Sequence, residues 1–182
     1  QPIGEWREHL PYNSAIDVTT DDNTIYCATP YSLFAIDTRD NSIERLSRIT
    51  GLSETGISAI QYDALNQKLF IAYSNSNIDI IYRNDIYNVP DIKRDNVIGD
   101  KTIYSIYPFG NNYYLSTGLG VIVIDGDKYE VKDSWFIGNN GNQVKVNAVT
   151  SDANFFYAAT DEGLKKAPLN SNSLSNYTNW QL

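Results

Sequence analysis

The chain has 182 residues, 42% of them hydrophobic and 13% aromatic, so it is long enough to bury a core, and its composition argues against global disorder. Its 22 acidic residues outnumber its 14 lysines and arginines, and the net charge of -8 argues against a nucleic-acid partner, which would require clustered cations. No apolar run approaches the roughly 18 residues that a membrane-spanning helix requires.

The first predicted element is a strand of outer type at residues 3–10, centred on Trp6 and ending before Pro11. The chain begins at Gln1 rather than at an initiator methionine, as removal of a signal peptide or trimming of a longer chain would leave it. The single histidine, His9, excludes a histidine-rich metal site, and we expect it to lie at a surface turn.

A pattern of short apolar strands then recurs four times. The repeats align at Thr29, Tyr73, Thr117 and Thr160, which are 44, 44 and 43 residues apart. A repeat of this length built from alternating strands is typical of a β-propeller blade. Because no window of 11 or more residues has helical apolar spacing, we predict an all-β chain.

The sequence therefore predicts about four blades, each with four antiparallel strands joined by tight polar turns. The blade units are residues 15–50, 57–98, 103–138 and 146–182. Each sheet is expected to bury a face on its neighbour, so a blade alone would be unstable. Small residues at Ala59, Ser105 and Ala148 suit innermost strands crowded around an axis, and Asp17 is the exception at this position.

Aromatic side chains lie three residues before each aligned position. They are Tyr26, Phe70, Tyr114 and Tyr157. We predict that they occupy equivalent places on the second strand of successive sheets and pack between the sheets. Cys27 lies in the same strand pattern and is predicted to be a small buried hydrophobe; a lone cysteine cannot form an internal disulfide.

No signature of catalysis or of a bound cofactor is present: the sequence lacks a glycine-rich phosphate loop, a Cys-x-x-Cys pair and a Gly-x-Ser-x-Gly elbow. The turn aspartates are spaced too widely for a calcium loop and are interpreted as polar turn residues. They are Asp37, Asp40, Asp125 and Asp127. A propeller hydrolase would need charged groups converging on the axis, where only Asp17 is found. We therefore predict a protein that is not an enzyme and that binds neither cofactor nor metal.

Several aromatic and amide side chains are predicted to share one face of the propeller, because the turns into the inner strand and those joining second to third strands emerge there. They are Tyr12, Asn13, Tyr31, Asn75, Asn77, Asn139, Asn140 and Asn142. Aromatic and amide groups together suit a sugar, with its apolar faces and many hydroxyls. The alternative interpretation is an ordinary polar rim.

Short motifs carry a family resemblance. The sequences GLS at 51–53 and ISAI at 57–60, with the glycine steps at 120–121 and 163–164, resemble the two-component-regulator propeller repeat of periplasmic sensor domains. More specifically, GEWREHLPYN at 4–13 and NSIERLS at 41–47 are similar to the amino-terminal propeller of the PorZ family, a surface component of the type IX secretion system. The sequence YCATPY at 26–31 adds to this similarity.

The resemblance covers essentially the whole chain and implies a partial ring cut from a larger propeller, in an exported protein of the cell surface, outer membrane or periplasm. It implies a non-enzymatic scaffold that works with other protein components of an attachment complex and supports anchoring of secreted proteins to anionic lipopolysaccharide. The alternative is the periplasmic ligand-sensing propeller of a hybrid two-component receptor that binds a glycan. No sugar-binding residue is carried over.

Strands of outer type are expected at both ends of the chain, around Trp6 and Trp180. Trp6 lies 12 residues before Val18, and Trp135 lies 14 before Val149, as expected of outer strands that lead into the next inner strand. In a whole ring the Trp6 strand would join the last blade. In this segment the first and fourth blades expose faces suited to burial, so we expect two copies to dimerise through these blade edges.

Overall fold

The computed structural model describes residues 12–171 and 173–181. These residues form four antiparallel sheets that follow one another in chain order, three of four strands and the last of three. The all-β prediction of about four propeller blades is thereby confirmed. The strand predicted at residues 3–10, with Trp6 and His9, lies outside the described residues.

Within each sheet, strands adjacent in sequence pair with one another. The first sheet contains β1 (Asp17–Thr20), β2 (Thr24–Ala28), β3 (Leu33–Asp37) and β4 (Ile43–Leu46). The second contains β5 (Ile57–Asp63), β6 (Lys68–Tyr73), β7 (Ile78–Tyr82) and β8 (Asp85–Val89). The third contains β9 (Ile103–Phe109), β10 (Asn112–Thr117), β11 (Val121–Asp125) and β12 (Glu130–Trp135). The fourth contains β13 (Val146–Ser151), β14 (Phe155–Thr160) and β15 (Gly163–Pro168).

Short helical segments lie between the strands. They are α1 (Asp91–Arg94) and the 3-10 turns Arg48–Thr50, Asn139–Gly141 and Tyr177–Asn179. The sequence indicated that helix is almost absent, and α1, a single turn of four residues, is too short to produce a helical hydrophobic period.

Aspartate side chains hold the turns, as predicted. The Oδ1 atoms of Asp37 and Asp40 each accept a hydrogen bond from a backbone N–H two residues further on, at 2.9 and 2.8 Å. Asp125 Oδ1 accepts from the N–H groups of Asp127 and Lys128, at 2.9 and 3.1 Å. These are the local side-chain bonds that make aspartate favourable in turns.

The four aromatic residues predicted to be equivalent lie on the second strands of the four sheets. Tyr26, Phe70, Tyr114 and Tyr157 are paired across the ladder with Thr19, Gln61, Tyr107 and Thr150 of the first strands. Three of them contact an aromatic ring of the next sheet, at centroid distances of 5.8, 3.7 and 4.8 Å. The predicted equivalence on the second strands is therefore confirmed, and three of the four residues pack between sheets. Tyr157 of the fourth sheet instead donates its hydroxyl to Asp152 Oδ2 of its own sheet at 2.7 Å.

Side chains also join the innermost strands. Asp17 Oδ1 accepts a hydrogen bond from Val18 N at 2.9 Å, and its Oδ2 accepts from Ile60 N in the next inner strand at 2.8 Å. Thr19 Oγ1 likewise accepts from Tyr62 N at 2.9 Å. Inner strands are sheet edges, so amides on their open side need acceptors from outside the ladder. Asp17, the exception in the sequence, thus bridges the first two inner strands.

The fourth sheet departs from the prediction, since the described residues near Trp180 form no outer strand. They form the 3-10 turn Tyr177–Asn179 and one isolated bridge between Lys166 and Gln181. Trp180 Nε1 donates to Leu174 O at 2.8 Å, and the indole is buried. The preceding segment is rich in asparagine and serine, which favour turns over strands.

Each sheet has a leading face, which points toward the preceding sheet in chain order, and a trailing face, which points toward the following sheet. The three apolar clusters lie between the trailing face of one sheet and the leading face of the next. Within the described ranges no sheet covers the leading face of the first sheet, where Val18 is 63% exposed; its counterpart Ile60 is 4% exposed. Cys27, predicted to be buried, is half-buried on this face, and burial followed by the charge of Asp17 raises the pKa of its thiol. The apolar side chains of the face are Val18, Ile25, Cys27, Phe34, Ile36 and Ile43.

Replacing Asp17 by alanine removes the acceptor for two inner-strand amides. We expect a loss of about 1–2 kcal/mol in the free energy of unfolding, as for hydrogen bonds to a partly buried charged group. Urea denaturation followed by tyrosine fluorescence would measure it. The matched control is Asp22→Ala, an exposed turn aspartate whose change should cost less than about 0.5 kcal/mol. Equal stabilities of the two variants would contradict the bridging role.

Candidate functional site

The predicted binding residues lie at one end of the sheets, which we call the loop end. It contains the turns between second and third strands and the loops that connect consecutive sheets. Hydrogen bonds join Asn75 to Asn77 at 3.1 Å and Asn139 to Asn142 at 3.3 Å, each pair within its own loop. Tyr12 instead packs edge-on against Phe34 of the first sheet. The topology thus places the set at one end, in separate groups.

Three of the turns at the loop end are held by threonines that align the repeats. Thr117 Oγ1 accepts from the N–H groups of Leu119 and Gly120, at 3.1 and 3.2 Å. Thr29 and Thr160 accept in the same way in their own turns, at 3.1 and 3.2 Å. The repeated threonines are therefore turn caps, which accounts for their regular spacing.

Two predicted binding residues differ sharply in accessibility. Tyr31 lies at the tip of the Thr29 turn and is 56% exposed. Asn77 is only 3% exposed: its Oδ1 accepts from Asn88 at 3.0 Å, and its Nδ2 donates to Glu54 at 3.4 Å. The prediction that Asn77 lies on the accessible surface is wrong, because its amide is buried in bonds to Asn88 of β8 and to Glu54 of the loop that leads into the sheet. The exposed asparagines of the set are Asn13, Asn75, Asn139, Asn140 and Asn142.

One ladder position at the loop end has a role that sequence reasoning missed. The registers place Phe34, Asp79, Ile122 and Lys165 at equivalent points of the third strands, paired with Cys27, Ile71, Leu115 and Ala158. We call this the anchor position, since in the first, second and fourth sheets it binds the segment that leads into its own sheet. Its chemistry changes from sheet to sheet, and alignment of the repeats at this one position could have revealed it.

In the second sheet the anchor is Asp79, whose carboxylate is fully buried. It accepts from Ser53 N at 2.7 Å, from the Tyr73 hydroxyl at 2.6 Å and from Asn88 Nδ2 at 2.9 Å. Burial of the Tyr73 hydroxyl, followed by its hydrogen bond to Asp79, raises the pKa of Tyr73 above its usual value. Three donors compensate the desolvation of the carboxylate, which fixes the loop at residues 47–56 to the sheet.

In the fourth sheet the anchor is Lys165, which is also buried. Its ammonium donates to Ile137 O at 2.8 Å and to Glu162 Oε2 at 2.5 Å. The hydrogen bond from Lys165 lowers the pKa of the Glu162 carboxyl, which also accepts from Asn139 N at 2.9 Å. The loop bearing the predicted asparagines 139–142 is thus held by an ion pair.

The other two anchors are apolar. Phe34 contacts the Tyr12 ring at a centroid distance of 5.8 Å, and the Arg45 guanidinium lies 5.1 Å from the same ring. Ile122 in the third sheet borders a cavity of about 380 Å³ between the sheet and residues 91–101. In the third sheet, therefore, the anchor position borders a cavity instead of holding the loop.

The described residues contain neither a metal-binding cluster nor a helix that could span a membrane. No group of three or more histidine, cysteine, aspartate or glutamate side chains within these ranges is placed to hold a metal ion. None of the helices found there has the length and apolar character that crossing a bilayer requires.

Comparison with known proteins places these features in a family. Residues 25–181 match the family model of the N-terminal β-propeller domain of PorZ, of the type IX secretion system. The structure of PorZ from Porphyromonas gingivalis, an essential bacterial surface component of that system, superposes with a TM-score of 0.82 at 23% identity, over 94% of this chain and 23% of that one. No curated protein sequence matches.

Other solved structures share the fold at lower identity. The extracellular domain of the putative one-component system BT4673 from B. thetaiotaomicron has a TM-score of 0.72 at 12% identity, over 100% of this chain and 23% of that one. The computationally designed Ika4 protein has a TM-score of 0.66 at 10% identity, over 88% of this chain and 94% of that one. The chain thus spans less than a quarter of the length of the two natural proteins.

Replacing Asp79 by alanine removes the acceptor of the half-buried Ser53 amide and of the buried Tyr73 hydroxyl. It also removes one of the three acceptors of the Asn88 side-chain amide. We expect a loss of about 3 kcal/mol in the free energy of unfolding, with faster hydrogen exchange at Ser53. Denaturant titration and exchange mass spectrometry would measure both. Asp85→Ala, at an exposed position of the same sheet, is the control and should change neither. Unchanged exchange at Ser53 in the Asp79 variant would refute the anchoring.

Proposed function

Because the chain belongs to the family of PorZ N-terminal β-propeller domains, we propose that it is a non-enzymatic interaction scaffold of a type IX secretion system, exported from the cytoplasm and acting in the attachment of secreted proteins to surface lipopolysaccharide. The observation that carries this proposal is the family match over residues 25–181. The extracytoplasmic setting of the similar structures, a bacterial surface component and an extracellular domain, supports it.

The side chains at the loop end are consistent with a scaffold. The buried ionisable residues there, Asp79 and Lys165, hold backbone groups of the connecting loops. Asp17, the inner-strand carboxylate considered for a hydrolase, is bonded to two backbone amides. Each of these charges thus has a structural partner, and the loops that they hold form a surface available to a binding partner.

Deleting the gene in its native bacterium would test the proposed role. Proteins carried by the secretion system should move from the cell-surface fraction to the culture medium, and the intact gene supplied in trans should return them. Quantitative mass spectrometry of the two fractions would measure the shift. Unchanged surface attachment in the deletion strain would overturn the proposal.

The second candidate function is that of a ligand-sensing propeller that binds a glycan. The exposed Tyr31 favours it, since an aromatic ring near exposed amides can stack on a sugar. Similarity to the extracellular domain of BT4673, a putative one-component system, also favours it. The complete gene would distinguish the two functions, because a transmembrane helix and kinase core downstream would indicate a receptor.

We expect this chain to bind saccharides weakly or not at all, because the predicted residues lie in separate loops that ligand binding would have to order. Isothermal titration calorimetry with candidate saccharides would measure the affinity. Any binding should be lost in Tyr31→Ala and retained in the control Tyr87→Ala, which alters an exposed outer-strand tyrosine. Tight binding that Tyr31→Ala leaves intact would refute the surface.

The leading face of the first sheet, which no sheet within residues 12–171 and 173–181 covers, gives the scaffold an apolar surface of its own. In the second sheet the counterparts of Val18, Ile25 and Cys27 are buried against the preceding sheet, so the face has the composition of an inter-sheet surface. We propose that another sheet of this kind covers it, and a second copy of the chain would do so when the segment is isolated.

Light scattering across a dilution series would test this pairing. The 182-residue chain should form dimers at high concentration that dissociate on dilution, and Val18→Lys should favour the monomer because it places a charge on the apolar face. Leu65→Lys is the control, since Leu65 is exposed in a turn at the other end of the sheets. A clean monomer at all concentrations would rule the pairing out.

A further inference from the structure

The cavity beside Ile122 has a buried apolar floor. Ile92 of α1, Leu119 of the β10–β11 turn and Ile122 itself are buried, and Val131 and Phe136 are half-buried at its sides. Its volume of about 380 Å³ lies in the range of sites that bind small molecules. In the second and fourth sheets the equivalent residues, Asp79 and Lys165, bind the loop that leads into the sheet. Ile122 cannot do so, and residues 91–101 are held by hydrogen bonds at other points.

The bonds of residues 91–101 show why the cavity stays open. Asp91 Oδ2 accepts from Val131 N at 3.2 Å, and Asp95 Oδ1 accepts from Val97 N at 3.2 Å. The Lys101 ammonium donates to the carbonyl oxygens of Ile92 and Asp95. These bonds fix the loop at its two ends and at the neighbouring strand, so that no side chain fills the space over Ile122.

The same bonds determine which charge at the cavity is available to a ligand. The two carboxylates and the ammonium all bond to backbone groups, whereas the guanidinium of Arg94 has no hydrogen bond or ion pair with any described residue. Arg94 is exposed at the rim, where a planar guanidinium can bind a carboxylate through two parallel hydrogen bonds. Arg94 is therefore a cationic group without a bonding partner among the described residues, and it lies above an apolar floor.

We propose that this cavity binds a small organic anion whose apolar body, an aromatic ring or a short branched chain, lies over Ile122 and whose carboxylate is bound by Arg94. The site is separate from the Tyr31 surface and from the uncovered face of the first sheet. The outcome of a test of this proposal is therefore independent of the scaffold and glycan proposals.

Nuclear magnetic resonance of the ¹⁵N-labelled 182-residue chain, titrated with 3-phenylpropionate, would test the site. We expect amide shifts at Ile92, Leu119, Ile122 and Val131, with a dissociation constant of about 1 mM, typical of a ligand of this size. The uncharged isostere 3-phenylpropionamide should bind about three- to fivefold more weakly. Absence of these shifts at about ten times that concentration, or equal binding of acid and amide, would overturn the proposal.

Variants separate the two halves of the site. Arg94→Gln should weaken the acid by about threefold and leave the amide unchanged, whereas Arg48→Gln, an exposed arginine of another loop, should alter neither. Ile122→Phe, which introduces the residue found at Phe34, should fill the cavity and abolish binding. Ser134→Trp at the exposed rim is a second blocking variant that leaves the floor intact. Normal binding by a folded blocking variant would refute the assignment.

Discussion

The burial of one sheet face beneath the next is the constraint on which the rest of this structure depends. A small antiparallel sheet has too little apolar contact to be stable alone, so each sheet relies on its neighbour. Polar groups extend the contact where side chains cross between sheets. The Tyr113 hydroxyl donates to Asp63 Oδ2 at 2.6 Å, and the buried Lys68 ammonium donates to Gly126 O at 2.5 Å and lies 4.8 Å from the Tyr129 ring. The loops can vary because the sheets beneath them are held by these contacts.

The sequence predicted the fold well wherever a local signal repeated. The aromatic positions such as Tyr26 could be predicted because they recur at a fixed interval and lie in segments where apolar residues alternate with a period of two. Both properties can be read from the sequence alone. The prediction of an outer strand near Trp180 was wrong, since one tryptophan does not specify a strand among asparagines and serines. Asp17 looked anomalous because its acceptor role depends on Ile60, 43 residues away, which no local pattern shows.

The candidate site was predictable only in part. Topology sufficed to place the loops at one end, and Tyr31 is exposed there as expected. Burial of an asparagine could not be predicted from its type, because the same amide that suits a surface turn also satisfies buried partners, as Asn77 does. The cavity over Ile122 depends on the path of residues 91–101, which is set by bonds to distant strands.

The anchor position has a consequence for how such repeats diverge. Asp79 accepts from a loop amide and Lys165 donates to a loop carbonyl, so equivalent points of one scaffold require opposite polarity from the chain that passes over them. If the strand with Asp79 were placed beneath the loop of the fourth sheet, its carboxylate would face the Ile137 carbonyl oxygen. If the strand with Lys165 were placed beneath the loop of the second sheet, its ammonium would face the Ser53 N–H. After a repeat is duplicated, we therefore expect the polarity of the anchor side chain and the path of its loop to change together. The repeats keep the same backbone fold, but the third strand of one cannot replace that of another.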